Sequence, residues 1–272
     1  MRGSSGTLGP SNARIDAETR LVALLGHPVE HSLSPRMQNA AFRALGLNWA
    51  YVALDVEPDR VGEAVHGLAA LGFAGANVTI PHKTAVIAFC DEVEPAALRA
   101  QSVNTLVIRD GRIHGSSTDG LAVTGAVRAQ GERALVLGAG GAAKAVAVAL
   151  ADAGAQVVVS ARRPEQAEAL ARLCGGTSAV WPPSGTGFGI LLNSTPLKDA
   201  LVVEPAAGQQ VVDMAYNRDG TPTALVVAAR AAGCATVVDG TDILAAQGAA
   251  SLERWTGLPA PLAVLRAALA LG

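Results

Sequence analysis

The chain is poor in aromatic side chains and in charge. Aromatic residues make up 3% and charged residues 16% of its 272 residues, whereas hydrophobic residues make up 50%. So few aromatic rings argue against a surface on which the bases of single-stranded nucleic acid would stack. A net charge of -2 gives no electrostatic signal for binding nucleic acid either. We therefore expect no nucleic-acid partner.

Other absences exclude further classes of protein. No apolar run reaches the roughly 18 residues of a membrane-spanning helix, and the N-terminus lacks the apolar segment of a signal peptide. Cys90, Cys174 and Cys234 are far apart and form no CxxC pair, which argues against a disulfide framework and a thiolate zinc site. The histidines show no metal-ligand spacing. We expect a cytoplasmic protein with neither a membrane segment nor a metal site.

The order of predicted elements indicates two α/β domains. Residues 1–14 are polar and rich in glycine and serine, and we interpret them as a disordered arm or a cloning remnant. Residues 15–118 predict a mixed sheet with helices. Residues 119–239 alternate strands with helices, which is typical of a parallel, Rossmann-like sheet. The helices of residues 240–272 are expected to pack back on the first domain.

A hairpin is predicted in the first domain. Asp110-Gly111 lies between two strand-like runs and is a strong turn signal. The resulting register places Asn104 opposite Ser117, two residues before Asp119. The hairpin would thus gather polar side chains at its open end. Asp119 begins a predicted helix, so capping that helix is an alternative role for its carboxylate.

Lysine is scarce, because the 21 basic residues include only Lys83, Lys144 and Lys198. A lysine among so many arginines can mark a position where the fixed charge of arginine would not serve, although codon bias explains the pattern equally well. Pro81 predicts a helix in which Lys83 is the third residue. The positive end of a helix dipole favours a neutral amine there, but a lysine in an exposed first turn is also ordinary.

A glycine-rich turn in the second domain predicts a dinucleotide site. The run from Gly138 to Ala143, GAGGAA, directly follows a predicted strand and opens a predicted helix. Glycines at such a turn let the backbone approach a pyrophosphate at the helix N-terminus. Arg162 and Arg163 end the second strand, where an NAD site carries an acidic residue and arginine accommodates a 2′-phosphate. The pattern favours NADP, and a solvated basic loop is the alternative.

Two serines stand before the first predicted helix. Ser34 is a natural N-cap, and Pro35 suits the first helical position. Ser32 and Ser34 could also donate hydroxyl and backbone hydrogen bonds to a carboxylate beside the helix N-terminus. Capping and ligand binding both remain open for Ser34.

A series of motifs in order along the chain resembles the shikimate dehydrogenase family. The first half contains GHPVEHSLSP, GANVTIPHK, VNT and STDG, and the second contains LGAGGAAKA, ARR, LLNSTP, DMAYN and WTGLPAP. The resemblance covers nearly the whole chain from about Ile15. It implies an α/β fold with an N-terminal mixed-sheet substrate domain and a Rossmann-like NADP-binding domain. The implied reaction is the reversible NADPH-dependent reduction of 3-dehydroshikimate to shikimate, in aromatic amino-acid biosynthesis.

The resemblance also implies a role for each residue at a matching position. Lys83 and Asp119 are the implied catalytic pair. The implied substrate-binding residues are Ser32, Ser34, Asn77, Thr79, Asn104, Tyr216 and Gln247. The implied cofactor-binding residues are Gly138, Ala139, Gly140, Gly141, Ala142, Arg162, Arg163, Asn193, Thr195, Met214 and Gly240. No metal is implied, and we expect a monomer or a homodimer.

Four residues depart from the family pattern. Gln101 and Ser102 stand where the family usually has glycine and alanine, Ser117 where it has asparagine, and Ile243 where methionine is common near the nicotinamide. The departures that border the expected substrate pocket leave open a relative acting on quinate or an amino-substituted shikimate, with NADP or NAD. A non-catalytic ligand-sensing module is a second alternative, against which the retained catalytic pair argues.

Overall fold

The structure is a computed structural model that describes residues 15–270, so the predicted N-terminal arm lies outside it. The strands, in chain order, are β1 (Arg20–Gly26), β2 (Trp49–Asp55), β3 (Gly75–Val78), β4 (Glu92–Val93), β5 (Thr105–Arg109), β6 (Arg112–Ser116), β7 (Arg133–Leu137), β8 (Gln156–Ser160), β9 (Thr177–Ala179), β10 (Ile190–Asn193), β11 (Gln210–Asp213) and β12 (Thr236–Val238). The α-helices are α1 (Ser34–Ala44), α2 (Val61–Ala70), α3 (Pro95–Arg99), α4 (Asp119–Thr124), α5 (Gly141–Asp152), α6 (Pro164–Cys174), α7 (Ala224–Ala231), α8 (Gly240–Thr256) and α9 (Leu262–Ala270). Short 3₁₀ helices span Pro58–Arg60 and Ala85–Phe89.

The first sheet is mixed, in the order β2-β1-β3-β5-β6-β4. β1 runs parallel to β2 and β3, whereas β5 pairs antiparallel with β3 and β6. Thr105 pairs with Ser116, which confirms the predicted hairpin register. Asp110 and Gly111 have φ angles of 52° and 74°, as a two-residue hairpin turn requires.

The second sheet is parallel throughout, in the order β12-β11-β10-β7-β8-β9. This is the strand order of a doubly wound dinucleotide fold, and its topological switch point lies between β7 and β10. Ligands of such sheets bind outside the carboxyl ends of the strands at the switch point. The two sheets confirm the predicted fold class.

Helices near the end of the chain cover a face of the first sheet. Leu252 and Trp255 of α8 and Leu265 of α9 are buried in one cluster with Val22 of β1. The indole N–H of Trp255 donates to the carbonyl of Leu106 in β5 (2.9 Å). No helix within residues 15–270 is long and apolar enough to cross a membrane.

Two predicted local structures are wrong. Ser34 is the first helical residue of α1, Leu33 takes the cap position, and no side chain caps the helix. The segment after Pro81 is a turn followed by a 3₁₀ helix. An α-helix would bond the carbonyl of Lys83 to an amide four residues on, but this carbonyl accepts from the amide of Val103 (2.8 Å). The helix-dipole argument for Lys83 therefore does not hold.

Candidate active site

Lys83 and Asp119 form a buried ion pair. The Lys83 Nζ lies 2.5 Å from the Asp119 Oδ2, and the two side chains are only 11% and 5% exposed. Lys83 is in the turn that follows β3, and Asp119 is the first residue of α4, just after β6 ends. A buried amine held by a carboxylate is a candidate for exchanging a proton with a reacting oxygen.

Asn104 holds the other oxygen of Asp119. Its Nδ2 donates to the Asp119 Oδ1 and to the Thr118 Oγ1, at 2.9 Å each, and lies 3.4 Å from the Gln247 Oε1. The Asn104 Oδ1 accepts from the amide of Thr118 (2.8 Å). Both ends of the Asn104 amide are therefore engaged, which fixes its orientation toward the ion pair.

Further buried polar groups support Asn104. The Nδ2 of Asn77 donates to the Asn104 carbonyl (3.1 Å) and to the Ser251 Oγ (3.0 Å), and its Oδ1 accepts from the Tyr51 hydroxyl (2.9 Å). The Ser251 Oγ also lies 2.8 Å from the Thr105 Oγ1. We call the following set the Asn104 network: Asn77, Asn104, Thr105, Thr118 and Ser251.

Sequence reasoning missed Tyr51, Thr105, Thr118 and Ser251. Each is a buried polar group on an apolar strand or helix or at the start of one. Thr105 and Thr118 also lie in the motifs VNT and STDG, but the sequence does not show the partners of these four side chains, which lie on other elements.

The two serines and Tyr216 meet at the start of α1. The Ser32 Oγ accepts from the amide of Ser34 (3.1 Å). Burial raises the pKa of Tyr216, against opposing hydrogen bonds with the Leu33 backbone and the Ser32 side chain. Burial likewise raises the pKa of Tyr51, against the opposing hydroxyl of Ser34. Neutral hydroxyls beside a helix N-terminus are suited to bind a carboxylate.

The loop between β7 and α5 has the features of a phosphate cradle. Gly138 has a φ of +107°, which favours glycine, and a Cβ there would lie 3.3 Å from the Ser194 backbone. Gly140 is the N-cap of α5 without a side-chain cap, and nothing lies within 4 Å of where its Cβ would be. The first amides of α5 are therefore open to an anion. Ala139 of this loop and the first two residues of α5, Gly141 and Ala142, are half-buried.

The end of β10 meets the cradle at the switch point of the sheet. The Asn193 Nδ2 donates to the Asp213 Oδ1 (2.9 Å), and the Asn193 Oδ1 accepts from the Thr195 amide (3.0 Å) and hydroxyl (2.7 Å). Burial raises the pKa of Asp213, against the opposing hydrogen bonds that it accepts. The Ser194 Oγ is buried and has no partner in residues 15–270. Ser194 and Asp213 lie within the motifs LLNSTP and DMAYN, but neither was assigned a role from the sequence.

The remaining predicted cofactor residues lie around this edge. Gly240 begins α8 against the chain after β11, since a Cβ there would lie 2.9 Å from the Met214 carbonyl oxygen. Arg162 and Arg163 follow β8 and are exposed. Within the described part of the chain, neither arginine forms an ion pair or contacts another predicted site residue.

Thr79 is a predicted substrate residue whose hydroxyl does not take part in the hydrogen bonds described above. It follows β3, and its amide donates to the Leu25 carbonyl (2.8 Å), but its hydroxyl makes no hydrogen bond between residues 15 and 270. In the same residues, no group of three or more His, Cys, Asp or Glu side chains could hold a metal ion.

Gly141 joins the cradle to the ion pair. A Cβ on Gly141 would lie 2.8 Å from the Lys83 Cβ, so α5 begins directly against the lysine stem. The candidate phosphate site and the Lys83–Asp119 ion pair are therefore immediate neighbours.

Comparison with known proteins decides the family. Residues 24–106 match the model of the shikimate dehydrogenase substrate binding domain, and residues 240–270 match that of the shikimate 5'-dehydrogenase C-terminal domain. A shikimate dehydrogenase (NADP(+)) of Moorella thermoacetica is 44% identical over 280 residues, which cover 93% of this chain and 93% of the relative. This chain belongs to the shikimate dehydrogenase family.

Solved structures of shikimate dehydrogenases share the fold over nearly the whole chain. One in complex with NADP+ has a TM-score of 0.88 at 34% identity, with 96% of this chain and 98% of that chain covered. The enzyme from Thermus thermophilus, in complex with NADP(H) and shikimate, has a TM-score of 0.82 at 34% identity, with 92% and 98% covered. The resemblance predicted from the motifs is confirmed.

Proposed function

We propose that this chain catalyses the reversible NADP-dependent oxidation of shikimate to 3-dehydroshikimate. The observation that carries this proposal is the buried Lys83–Asp119 pair directly beside the cradle that opens α5. An alcohol dehydrogenation needs a proton-exchanging group next to a nucleotide site. The relatives named as NADP-dependent shikimate dehydrogenases support the same reaction, which serves aromatic amino-acid biosynthesis.

The residues present fit NADP. The glycine conformation at Gly138 and the open amides of α5 suit a pyrophosphate, which the five residues from Gly138 to Ala142 would hold. The exposed guanidinium groups of Arg162 and Arg163 suit a 2′-phosphate, because their forked donors bind phosphate oxygens in pairs. When bound, the cofactor supplies or accepts the hydride at a ring carbon of the substrate. The remaining cofactor edge would consist of Asn193, Thr195, Met214 and Gly240.

The substrate carboxylate would bind at the start of α1. The hydroxyls of Ser32, Ser34 and Tyr216 supply donors there, and their neutrality at physiological pH avoids repulsion of the anion. The ring hydroxyls would face Asn77, Thr79, Asn104 and Gln247. The free hydroxyl of Thr79 is available for such a contact.

Lys83 moves the proton. In the oxidation direction its neutral amine accepts the proton of the reacting hydroxyl, and in the reduction direction its ammonium returns a proton to the oxygen. The Oδ2 of Asp119 holds the amine in place at 2.5 Å, and Asn104 fixes the carboxylate through the Oδ1. The ion pair and the Asn104 network thus position one proton for one oxygen.

The two sheets divide these tasks in the proposed function. Residues 15–118, together with α8 and α9, would form the substrate-binding domain, and residues 119–239 the NADP-binding domain. The protein would work in the cytoplasm as a monomer or homodimer, without a nucleic-acid partner.

An assay of absorbance at 340 nm tests the function. The purified chain is given shikimate or quinate, each with NADP or NAD, and kcat/KM is measured for the four pairs. We expect the highest value for shikimate with NADP. A higher value for quinate would establish the alternative substrate, and shikimate binding without turnover by any pair would establish a sensing module.

A further inference from the structure

Helix α5 presents one edge to the segments that carry the catalytic pair. Residues on this edge recur at helical spacing, so they lie above one another: Gly141, Lys144, Ala145, Ala149 and Asp152. Each of them contacts a residue of the first half of the chain or of α4. The edge therefore runs from the phosphate cradle past both members of the pair.

Two contacts on this edge leave no room for a side chain. A Cβ on Gly141 would lie 2.8 Å from the Lys83 Cβ. A Cβ on Gly120, which directly follows the catalytic carboxylate, would lie 2.6 Å from the Ala149 Cβ and 3.0 Å from the Ala145 carbonyl oxygen. The backbone beside each catalytic residue is thus packed against α5.

Polar contacts flank the close ones. Asp152, at the end of α5, forms an ion pair with Arg99 of α3. Near the start of α5, the Lys144 Nζ lies 3.4 Å from the Thr84 Oγ1 and 3.5 Å from the Gln101 Oε1. The Thr84 Oγ1 in turn donates to the Gln101 carbonyl (2.9 Å). Thr84 directly follows the catalytic lysine, so Lys144 contacts the residue next to Lys83 in the chain.

The backbone of Gln101 adopts a conformation that is unfavourable for a residue with a side chain. Its φ is +50°, in the left-handed region that favours glycine. A glutamine in this region is present at a conformational cost. Within residues 15–270, the only hydrogen-bond partner of the Gln101 side chain is Lys144.

We propose that Lys144, Gln101 and Thr84 form a latch that positions Lys83 against the first turn of the cofactor helix. Lys144 and Gln101 touch no reacting atom in this proposal and are positioning residues. The proposal rests on the proposed function, because it assigns the latch to the same proton-exchanging site. Contacts of 3.4 and 3.5 Å are long for hydrogen bonds, so the latch adjusts the position of the lysine and does not create the ion pair.

Kinetics of single and double variants test the latch. We expect kcat for shikimate oxidation to fall roughly 3–10-fold in Lys144→Met and in Gln101→Gly, because small misplacements of a reacting group are costly. The double variant should lose no more than the worse single variant, since both changes break one contact. Lys144→Arg keeps a long cation and should retain most of kcat. Arg172→Met, on the exposed face of α6, is the matched control and should leave kcat unchanged.

Cofactor binding separates the latch from a phosphate contact. The Kd for NADP, from a titration without substrate, should stay unchanged in Lys144→Met and Gln101→Gly. A raised Kd with an unchanged kcat would show that Lys144 binds the cofactor, and the latch would be wrong. Strictly additive losses in the double variant would contradict it as well.

Hydrogen–deuterium exchange gives a measure that does not depend on turnover. Peptides that cover residues 81–89 should exchange faster in Lys144→Met than in the parent and in Arg172→Met, because the segment loses a tether. If residues 81–89 exchange at the same rate in Lys144→Met and in the parent, and the parent oxidises shikimate, the latch is overturned and the proposed function stays intact. A parent without shikimate turnover overturns the function, and the exchange data still decide the latch. If Lys144→Met does not fold, Gln101→Gly, which removes the same contact, provides the comparison, and Lys144→Arg serves as the variant that keeps the cation.

Discussion

The two sides of the site differ in how their polar groups are partnered. On the side of the first sheet, the Asn104 network is buried, and none of its buried side-chain polar atoms lacks a hydrogen-bond partner. On the side of the second sheet, Arg162 and Arg163 are exposed and form no ion pair in the described chain, and the first amides of α5 are uncapped.

This difference separates geometry from affinity. Hydrogen bonds that are complete within the protein hold the Lys83–Asp119 ion pair in place before a ligand binds. Donors without protein partners are available to a phosphate instead. Substitutions in the Asn104 network should therefore change turnover and stability, whereas substitutions at Arg162 and Arg163 should change cofactor binding alone.

Removing the lysine should have the largest effect. Lys83→Ala should lower kcat by roughly 10²–10⁴-fold, the usual contribution of general acid–base catalysis, with little change in the Kd for NADP. Steady-state kinetics and cofactor titration measure the two quantities. Turnover near that of the parent would mean that Lys83 has only a structural role in its turn.

The arginines should give the next largest effect, in cofactor choice. Replacing Arg162 and Arg163 by alanine should narrow the preference for NADP over NAD by roughly 10-fold or more per lost charged contact. The unfolding midpoint should hardly move, because both side chains are exposed. Arg172→Ala on α6 is the control. Equal kcat/KM with both cofactors in the parent would contradict the assignment.

A substitution in the Asn104 network should change stability and turnover, unlike the arginine substitutions, which change cofactor preference. Ser251→Ala removes a buried hydroxyl that bonds Asn77 and Thr105, so it should cost about 1–3 kcal/mol in the free energy of unfolding and lower kcat. Urea denaturation and kinetics check this, with the exposed Ser184→Ala as control. A stable variant of normal turnover would show that the network does not hold the ion pair.

Ser117 should give the smallest effect. Its Oγ is buried without a partner in residues 15–270, so no described protein group competes for the hydroxyl. Ser117→Asn should sharpen the preference for shikimate over quinate several-fold, since one such hydrogen bond contributes about 0.5–1.5 kcal/mol. The same replacement at the exposed Ser178 is the control. An unchanged ratio of kcat/KM values would leave Ser117 as a structural substitution.

Local signals predicted much of the fold because their physics is local. Asp110-Gly111 could be placed in a turn because both residues tolerate a positive φ. The alternation of strands and helices after residue 133 predicted the parallel sheet. Helix α7 was missed, although Thr223 caps it by accepting from the Val226 amide (3.3 Å) and is a typical N-cap residue.

The rest depended on contacts between distant segments. The turn at Lys83 forms because its carbonyl bonds Val103, twenty residues away, and no window around the lysine shows that partner. The Asn104 network joins β3, β5 and α8, so Ser251 looks like an ordinary helical serine in the sequence. Motifs could propose ligand-binding groups, but they could not show which buried side chains hydrogen-bond to those groups.

The packing of α8 and α9 determines when the core of the first sheet is completed during synthesis. Leu252, Trp255 and Leu265 cover Val22 on the first sheet, yet the ribosome adds them more than two hundred residues after it. During synthesis Val22 therefore lacks these neighbours while the whole second sheet emerges. The core around the strand translated first is thus completed only once α9 has been made.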